Sequence, residues 1–282
     1  MVKIMSDSTC DLSKELIEKN NIDILPLHIL LGDKEYRDGI DITPDEIYTW
    51  ADANKTTPKT SASGMEDVVE AMRPYVENGD EIVVFTISQS MSTNFNVMRL
   101  AADELEAEDK IHVIDSANLS TGIGLLVLTA CDLAAQGKSA AEIADEIEKL
   151  KSAVRASFVV DTLVYLHRGG RCSGVEALAG QMLKLHPRIE VVDGAMRPAQ
   201  KYRGKIHKVV MNYVKDMEND LKTARKNRVF ITHSGCDRAI VEEVEAYLKS
   251  LDRFENIYET RAGGVISSHC GPGTLGVLFI AE

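Results

Sequence analysis

The chain has 282 residues, of which 44% are hydrophobic and 27% charged, a composition typical of soluble globular proteins. Its formal net charge is -12, from 44 acidic and 32 basic residues, which disfavours binding of a nucleic-acid backbone as a global role. No apolar run approaches the ~18 residues of a membrane-spanning helix, and residues 1–7 lack the regions of a signal peptide. We therefore expect a cytoplasmic protein.

The first part of the chain alternates between strand and helix patterns. Hydroxyl residues at helix-start positions predict N-caps at Thr43, Ser63 and Ser139. We predict strands at residues 2–5, 22–31, 81–87 and 111–114, a hairpin turn at 32–34, and helices at 12–19, from 43, at 63–75, 92–105, 120–135 and 139–151. This alternation is typical of a largely parallel sheet flanked by helices.

The pattern changes near residue 155, which predicts two α/β domains, 1–155 and 156–282. Asp193-Gly194 between two apolar runs indicates a β-hairpin, and His186-Pro187 is expected to end a helix. We predict strands at 158–160, 189–192, 196–202, 229–232, 257–259 and 276–281, and helices at 162–166, 175–185, 206–221 and 239–249. The second domain should therefore have a mixed sheet, with a ligand cleft between the domains.

Three separated motifs carry residues that bind anions. His269 precedes the turn 271–273, Arg171 follows a glycine pair, and Thr60 and Ser61 lie in a hydroxyl cluster. Ser92 comes at the start of a predicted helix, where free backbone N–H groups attract negative charge. Together these side chains fit a carboxylate or phosphate head group.

Each motif also fits a purely structural role. Serine and threonine are common helix caps, the pair Gly169-Gly170 is a typical helix end, Arg171 suits a surface ion pair, and His269 suits a buried hydrogen bond. These structural interpretations stay open from the residues alone.

Several chemistries lack their motifs in the sequence. It contains no phosphate-binding GxxxxGK[ST] loop, no dinucleotide fingerprint, no GxSxG elbow and no HExxH zinc motif. The five cysteines are widely spaced without a CxxC pair, as expected for reduced thiols. His269 and Cys270 are adjacent on what we predict to be extended or turn backbone, so they should point apart rather than bind a metal. We expect no metal and no cofactor.

The same motifs resemble the DegV family, whose best-understood members are the fatty-acid-binding subunits of bacterial fatty acid kinase. The similarity runs through the whole chain in seven segments: Ser6-Asp7-Ser8-Thr9 with Asp11, Tyr36 to Asp41, Lys59-Thr60-Ser61, Ile87-Ser88 with Ser92, Asp115-Ser116, Tyr165 to Arg171, and His269 with Gly271-Pro272-Gly273. The chain departs from the family pattern after Ser92, where Thr93 replaces the usual glycine.

The resemblance implies two α/β domains with a lipid between them. It implies that Thr60, Ser92 and His269 hold a fatty acid carboxylate, with Arg171 behind them, and we include Ser61 in this ligand-binding set. The segments 22–31, 158–166 and 175–185 are suitable linings for the acyl chain.

The expected function is that of a non-enzymatic carrier. It would present a long-chain fatty acid to a separate kinase subunit, for acyl-phosphate formation and phospholipid synthesis. A local basic group is expected to meet an acidic partner surface or anionic lipid head groups at the membrane surface, or else to be a solvated hairpin face: Arg197, Lys201, Arg203 and Lys205. Two alternatives stay open, a lipid or small-ester hydrolase that uses a serine and His269, and a carrier of another hydrophobic acid.

Overall fold

The computed structural model of the protein describes residues 1–172, 174 and 185–282. Its strands are β1 (Val2–Asp7), β2 (Asp23–Leu25), β3 (His28–Leu31), β4 (Lys34–Arg37), β5 (Lys59–Ser61), β6 (Glu81–Thr86), β7 (Ile111–Asp115), β8 (Val154–Val159), β9 (Leu185–Val192), β10 (Ala195–Arg203), β11 (Ala224–His233), β12 (Ile257–Arg261) and β13 (Leu275–Ala281). Its helices are α1 (Lys14–Lys19), α2 (Pro44–Asn54), α3 (Met65–Glu77), α4 (Asn94–Glu104), α5 (Thr121–Ala135), α6 (Ala140–Leu150), α7 (Val164–Gly169), α8 (Ile206–Asp216), α9 (Glu218–Lys222), α10 (Arg238–Ser250) and α11 (Gly264–Cys270).

The predicted parallel sheet is confirmed in the first part of the chain, with strand order β2-β1-β6-β7. Helices α3 and α4 cover one face, and α5 and α6 cover the other. The predicted strand 22–31 is in fact two strands, since Pro26 between them has no N–H group for a ladder. Strand β2 joins the parallel sheet, whereas β3 pairs with β4 and β5 in a separate antiparallel sheet. The predicted hairpin between β3 and β4 is confirmed.

The second part of the chain forms the predicted mixed sheet, in the order β10-β9-β8-β13-β11-β12. Only β11 and β12 pair in parallel among its described strands. The hairpin between β9 and β10 is confirmed. The prediction that His186-Pro187 ends a helix is wrong, because both lie inside β9. Pro187 is tolerated there because β8 pairs only with Arg188–Glu190 of β9 and does not reach it. Residues 175–184 of the predicted helix 175–185 lie outside the described residues, and Leu185 begins β9.

Helix α5 packs between the two large sheets. Every residue from Thr121 to Leu128 is buried, and the helix contacts β1 and β6 on one side and β8, β11 and β13 on the other. A helix that is apolar all round requires such burial. The hydrophobic core is therefore continuous between the two sheets. Strand β8, which begins at Val154, belongs to the mixed sheet, and the domain division at 155/156 stays a prediction.

The helix starts test the predicted caps one by one. Thr43 and Ser139 are N-caps as predicted, and each forms a capping box with the glutamate three residues later. The Ser63 cap is wrong, since α3 begins after Gly64 and the Ser63 backbone N–H instead donates to Asn94 Oδ1 at 3.0 Å. The predicted helix 206–221 is interrupted at Met217, which separates α8 from α9. None of the helices in the described ranges is long and apolar enough to cross a membrane.

Candidate functional site

A cavity of about 320 Å³ lies where the two large sheets and the small antiparallel sheet meet. All five candidate side chains line it: Thr60, Ser61, Ser92, Arg171 and His269. They come from β5, the loop after β6, the turn after α7, and helix α11. Its volume is at the lower end of the range found for small-molecule sites. The structure thus brings together residues that are up to 209 positions apart in the sequence.

The remaining wall of this cavity is mainly apolar. It includes side chains from both parts of the chain: Leu27, Ile87, Met91, Leu119, Met196, Val265 and Ile266. A smaller cavity of about 30 Å³ shares Leu119, Ile266 and Cys270 with the first and continues to Phe158 and Leu278 of the mixed sheet. The polar rim and apolar interior suit an amphipathic ligand.

His269 lies on helix α11, an element that the sequence did not predict. The Gly-Pro-Gly turn follows it as expected, and Gly271 ends the helix with a φ of 75°. His269 and Cys270 are thus consecutive helical residues, which corrects the expected extended or turn backbone. The His269 Nε2 atom lies 2.8 Å from Thr60 Oγ1, which joins α11 to β5. Burial, with a smaller effect from the Arg171 charge, lowers the pKa of His269 to about 4, so the ring is neutral at neutral pH.

The Gly169-Gly170-Arg171 turn packs directly against the His269 ring. Gly170 ends α7 with a φ of 64°, and Arg171 Nη1 donates to the Gly169 carbonyl oxygen at 2.8 Å. A Cβ atom on Gly169 would lie 2.5 Å from His269 Nδ1, so only glycine fits at this position. Arg171 is otherwise exposed at the cavity mouth, where it contributes positive charge.

Ser92 is held in the loop between β6 and α4. Its Oγ accepts from the Asn94 backbone N–H at 3.2 Å, and α4 begins at Asn94 rather than at Ser92 as predicted. The buried Asp7 carboxylate fixes both sides of this loop by accepting from Ile87 N at 2.8 Å and Asn94 Nδ2 at 2.9 Å. Thr93 has a φ of -82°, which explains why the family's usual glycine is not needed here. Ser61, one residue beyond Thr60 on β5, is exposed at the cavity mouth.

The side chains of Asp11 and Asp38, for which the sequence predicted no role, hold helix α11. Asp11 Oδ1 accepts from Gly263 N at 2.8 Å, and Asp38 Oδ1 accepts from Gly264 N at 2.7 Å. Burial raises the pKa of Asp11 to about 8 and also raises the pKa of Asp38. The sequence signal for this contact was the pair Gly263-Gly264, because a side chain at either position would crowd the Asp11 and Asp38 carboxyl groups.

Within the described ranges, no three His, Cys, Asp or Glu side chains are arranged to hold a metal ion. The five cysteines are free thiols, and burial raises the pKa of each of them. Around the cavity, the hydroxyls, the imidazole and the guanidinium group offer hydrogen bonds to a ligand.

Comparison with known proteins agrees with this architecture and site. A family model described as an uncharacterised protein of the DegV family matches residues 1–282. A DegV domain-containing protein of Clostridium acetobutylicum is 32% identical over 283 residues, covering 100% of this chain and 99% of its own length. The chain belongs to the DegV family.

Solved structures of related proteins are closely similar. A DegV family protein from Thermus thermophilus, described as binding fatty acid, has a TM-score of 0.91 at 29% identity and covers 100% of this chain and 99% of its own. A stearic acid-binding protein from Eubacterium ventriosum has a TM-score of 0.87 at 31% identity, covering 100% of this chain and 98% of its own. These matches confirm the predicted α/β fold with a parallel and a mixed sheet.

Proposed function

We propose that this protein binds a long-chain fatty acid in the cavity between its sheets and acts as a cytoplasmic carrier. Thr60, Ser92 and His269 hold the carboxylate, and Ser61 and Arg171 add polar and positive groups at the mouth. The observation that carries the proposal is the convergence of all five side chains on one cavity whose remaining wall is mainly apolar. The fatty acids bound by its structural relatives support the same ligand class.

The binding energetics fit an amphipathic acid. A buried carboxylate needs charge-assisted hydrogen bonds to offset the loss of water, and hydroxyl donors with a nearby guanidinium group supply them. The acyl chain supplies affinity, since each buried CH₂ contributes ~0.8 kcal/mol and a tail of about sixteen carbons offers on the order of 11 kcal/mol before ordering costs. The smaller apolar cavity near Phe158 extends the path for the tail.

The carrier then presents the carboxylate to a separate kinase subunit for acyl-phosphate formation, which feeds phospholipid synthesis. The exposed head-group side, with Arg171 at the rim, leaves the carboxylate reachable from outside. The basic group of Arg197, Lys201, Arg203 and Lys205 is exposed on edge strand β10 and just after it. The same strand carries Met196, which lines the cavity. The basic group itself does not line the cavity, and it offers positive charge to an acidic partner surface or, transiently, to a membrane surface.

The hydrolase alternative receives less support from the geometry. A serine hydrolase needs a serine hydroxyl within hydrogen-bond distance of its histidine. Among the described residues, the hydrogen-bond partner of His269 is the Thr60 hydroxyl. Steady hydrolysis of acyl esters that is abolished in Ser92→Ala would nevertheless favour the hydrolase.

The primary test is mass spectrometry of an organic extract from the purified, denatured protein. We expect near-stoichiometric fatty acid in the wild type and its loss in Thr60→Ala and His269→Ala. Thr49→Ala and His207→Ala are matched controls, since both side chains are exposed on helices α2 and α8 and should leave the lipid in place. An empty wild-type extract, with no uptake from added fatty acids, would contradict the proposal. A different hydrophobic acid in the extract would favour the other carrier alternative.

The kinase link has a separate test. Reversing the four charges of the basic group should weaken kinase-dependent phosphorylation of the bound lipid but spare lipid binding. A control variant reverses four exposed charges on α1 and β11, at Lys14, Lys19, Arg225 and Lys226. Equal phosphorylation by the two variants would remove the basic group from the proposal.

A further inference from the structure

The His269 ring has two nitrogen atoms in very different surroundings. Nε2 lies 2.8 Å from Thr60 Oγ1. Nδ1 is buried, and in the part of the chain that the structure describes it has no hydrogen-bond partner. The backbone of Gly169 occupies the space beside Nδ1, because a Cβ built on this glycine would lie 2.5 Å from that nitrogen.

This packing determines which nitrogen can carry the proton of the neutral ring. On glycine, a hydrogen atom occupies the Cβ direction, so the Gly169 Cα–H group points toward Nδ1. A bare lone pair tolerates such a weak C–H donor. An N–H group at Nδ1 would instead meet that hydrogen and would be a buried donor without an acceptor, which costs more than an unused lone pair next to a weak donor. The Nε2–H tautomer avoids both problems.

The position of the proton sets the direction of the hydrogen bond to Thr60. With the proton on Nε2, the imidazole donates and Thr60 Oγ1 accepts. The Thr60 hydroxyl hydrogen is then free to donate to a ligand. With the other tautomer, Thr60 would donate to Nε2 and present only lone pairs to the cavity, which would repel a carboxylate.

We infer that Gly169 is a positioning residue, which holds His269 as the Nε2–H tautomer so that Thr60 donates its hydroxyl hydrogen to an ionised carboxylate. This inference rests on the proposed function and adds the direction of the relay, from Nε2–H to the Thr60 oxygen and from the Thr60 hydrogen to the ligand. Arg171 reinforces the arrangement by donating to the Gly169 carbonyl oxygen at 2.8 Å, which fixes the turn against the ring.

The tautomer is measured directly by two-bond ¹H–¹⁵N NMR of histidine-labelled protein, free and loaded with palmitate. Comparison with His269→Gln assigns the His269 signals among the seven histidines. We expect the Nε2–H pattern, with Nδ1 unprotonated, in both states. A proton on Nδ1, from the other neutral tautomer or from an imidazolium ion, overturns the inference.

Palmitate affinities of a double-mutant cycle supply the second readout. Thr60→Val and His269→Gln should each weaken binding about 10-fold or more, which is typical of a lost charge-assisted hydrogen bond. The double variant should be no weaker than the weaker single variant, because both substitutions break the same relay. Multiplying effects would show two independent contacts and overturn the relay. Thr60→Ser, which keeps the hydroxyl, should stay within about 3-fold of the wild type.

The two proposals fail separately. If the wild type does not bind palmitate, the proposed function is contradicted. If it binds palmitate while His269 carries a proton on Nδ1, only the direction of the relay is contradicted.

Discussion

The two ends of helix α11 differ in how far their polar groups are paired within the protein. At its start, the Gly263 and Gly264 backbone N–H groups are paired with the Asp11 and Asp38 carboxylates, both from the first part of the chain. At its other end, His269 faces the cavity beside hydroxyl and guanidinium donors that have spare hydrogens. One end is complete in the protein alone, whereas in the proposed function the other end gains its missing acceptor from a ligand. The comparison indicates that a fixed helix start is what positions the open end.

Burial acts on both ends with opposite effects on their pKa values. It raises the pKa of the Asp11 carboxyl to about 8 and lowers the pKa of the His269 imidazole to about 4. In each case the low-dielectric surroundings favour the neutral form. An arriving carboxylate therefore meets neutral donors and Arg171 rather than a preformed ion pair that it would have to displace.

The largest expected effect comes from breaking the complete end with Asp38→Ala. The change removes the acceptor of Gly264 N and of Ser8 Oγ, which donates to Asp38 Oδ2 at 2.8 Å. Leaving the buried Gly264 N–H and the half-buried Ser8 hydroxyl without this acceptor should lower the free energy of unfolding by about 3 kcal/mol. Urea unfolding measures this value, with Asp103→Ala on the exposed face of α4 as the control, expected within about 0.5 kcal/mol of the wild type. Equal stabilities of the two variants would show that the helix start does not depend on Asp38.

Alanine variants of the adjacent glycines Gly169 and Gly170 distinguish an effect on the position of the His269 ring from an effect of backbone strain. In Gly169→Ala the new Cβ would lie 2.5 Å from His269 Nδ1 and displace the ring, so palmitate affinity should fall about 10-fold. In Gly170→Ala the new Cβ meets no atom within 4 Å, but the φ of 64° disfavours alanine. This control should lose about 1 kcal/mol of unfolding free energy and keep its affinity. Calorimetric titration and urea unfolding of both variants give the comparison, and equal affinities would remove Gly169 from the site.

Local patterns predicted much of the fold. Strand–helix alternation predicted the parallel sheet, and Asp193-Gly194 predicted the hairpin between β9 and β10. The error at Pro187 arose because a proline usually stops a helix. Here Pro187 lies in strand β9 beyond the residues that pair with β8, and this pairing depends on the tertiary fold. The predicted Ser63 cap failed for a similar reason, since Asn94, the first residue of the distant helix α4, accepts a hydrogen bond from the Ser63 backbone N–H.

The candidate site could be predicted less well from local sequence patterns. The sequence offered Thr60 and His269 as separate polar motifs, and only the resemblance to the DegV family joined them. The seven-residue helix α11 has no side-chain cap of its own and no acidic residue in its first turn, so it shows no helix-start signal. Its cap consists of carboxylates more than 200 residues away along the chain, as the Asp38–Gly264 separation of 226 shows. Such long-range pairing cannot be predicted from periodicity.

The smallest expected effect is the pH dependence of stability at the open end. The pKa of His269 is about 4 in the folded protein and 6.5 for an unperturbed histidine, so the unfolded chain binds more protons between these values. The contribution of His269 to stability must therefore rise with pH in this window. For Asp11, whose folded pKa is raised from 3.8 to about 8, the sign is opposite, and its contribution to stability falls as pH rises.

We expect the difference in unfolding free energy between the ligand-free wild type and His269→Gln to increase by about 0.7 kcal/mol from pH 6 to pH 7 and to be flat above pH 7.5. Urea titrations at matched ionic strength measure this difference, in which the common contribution of Asp11 cancels. A difference that decreases with pH would mean that His269 gains a proton on folding, and would place a charged imidazole at the end of α11 where the structure has a neutral one.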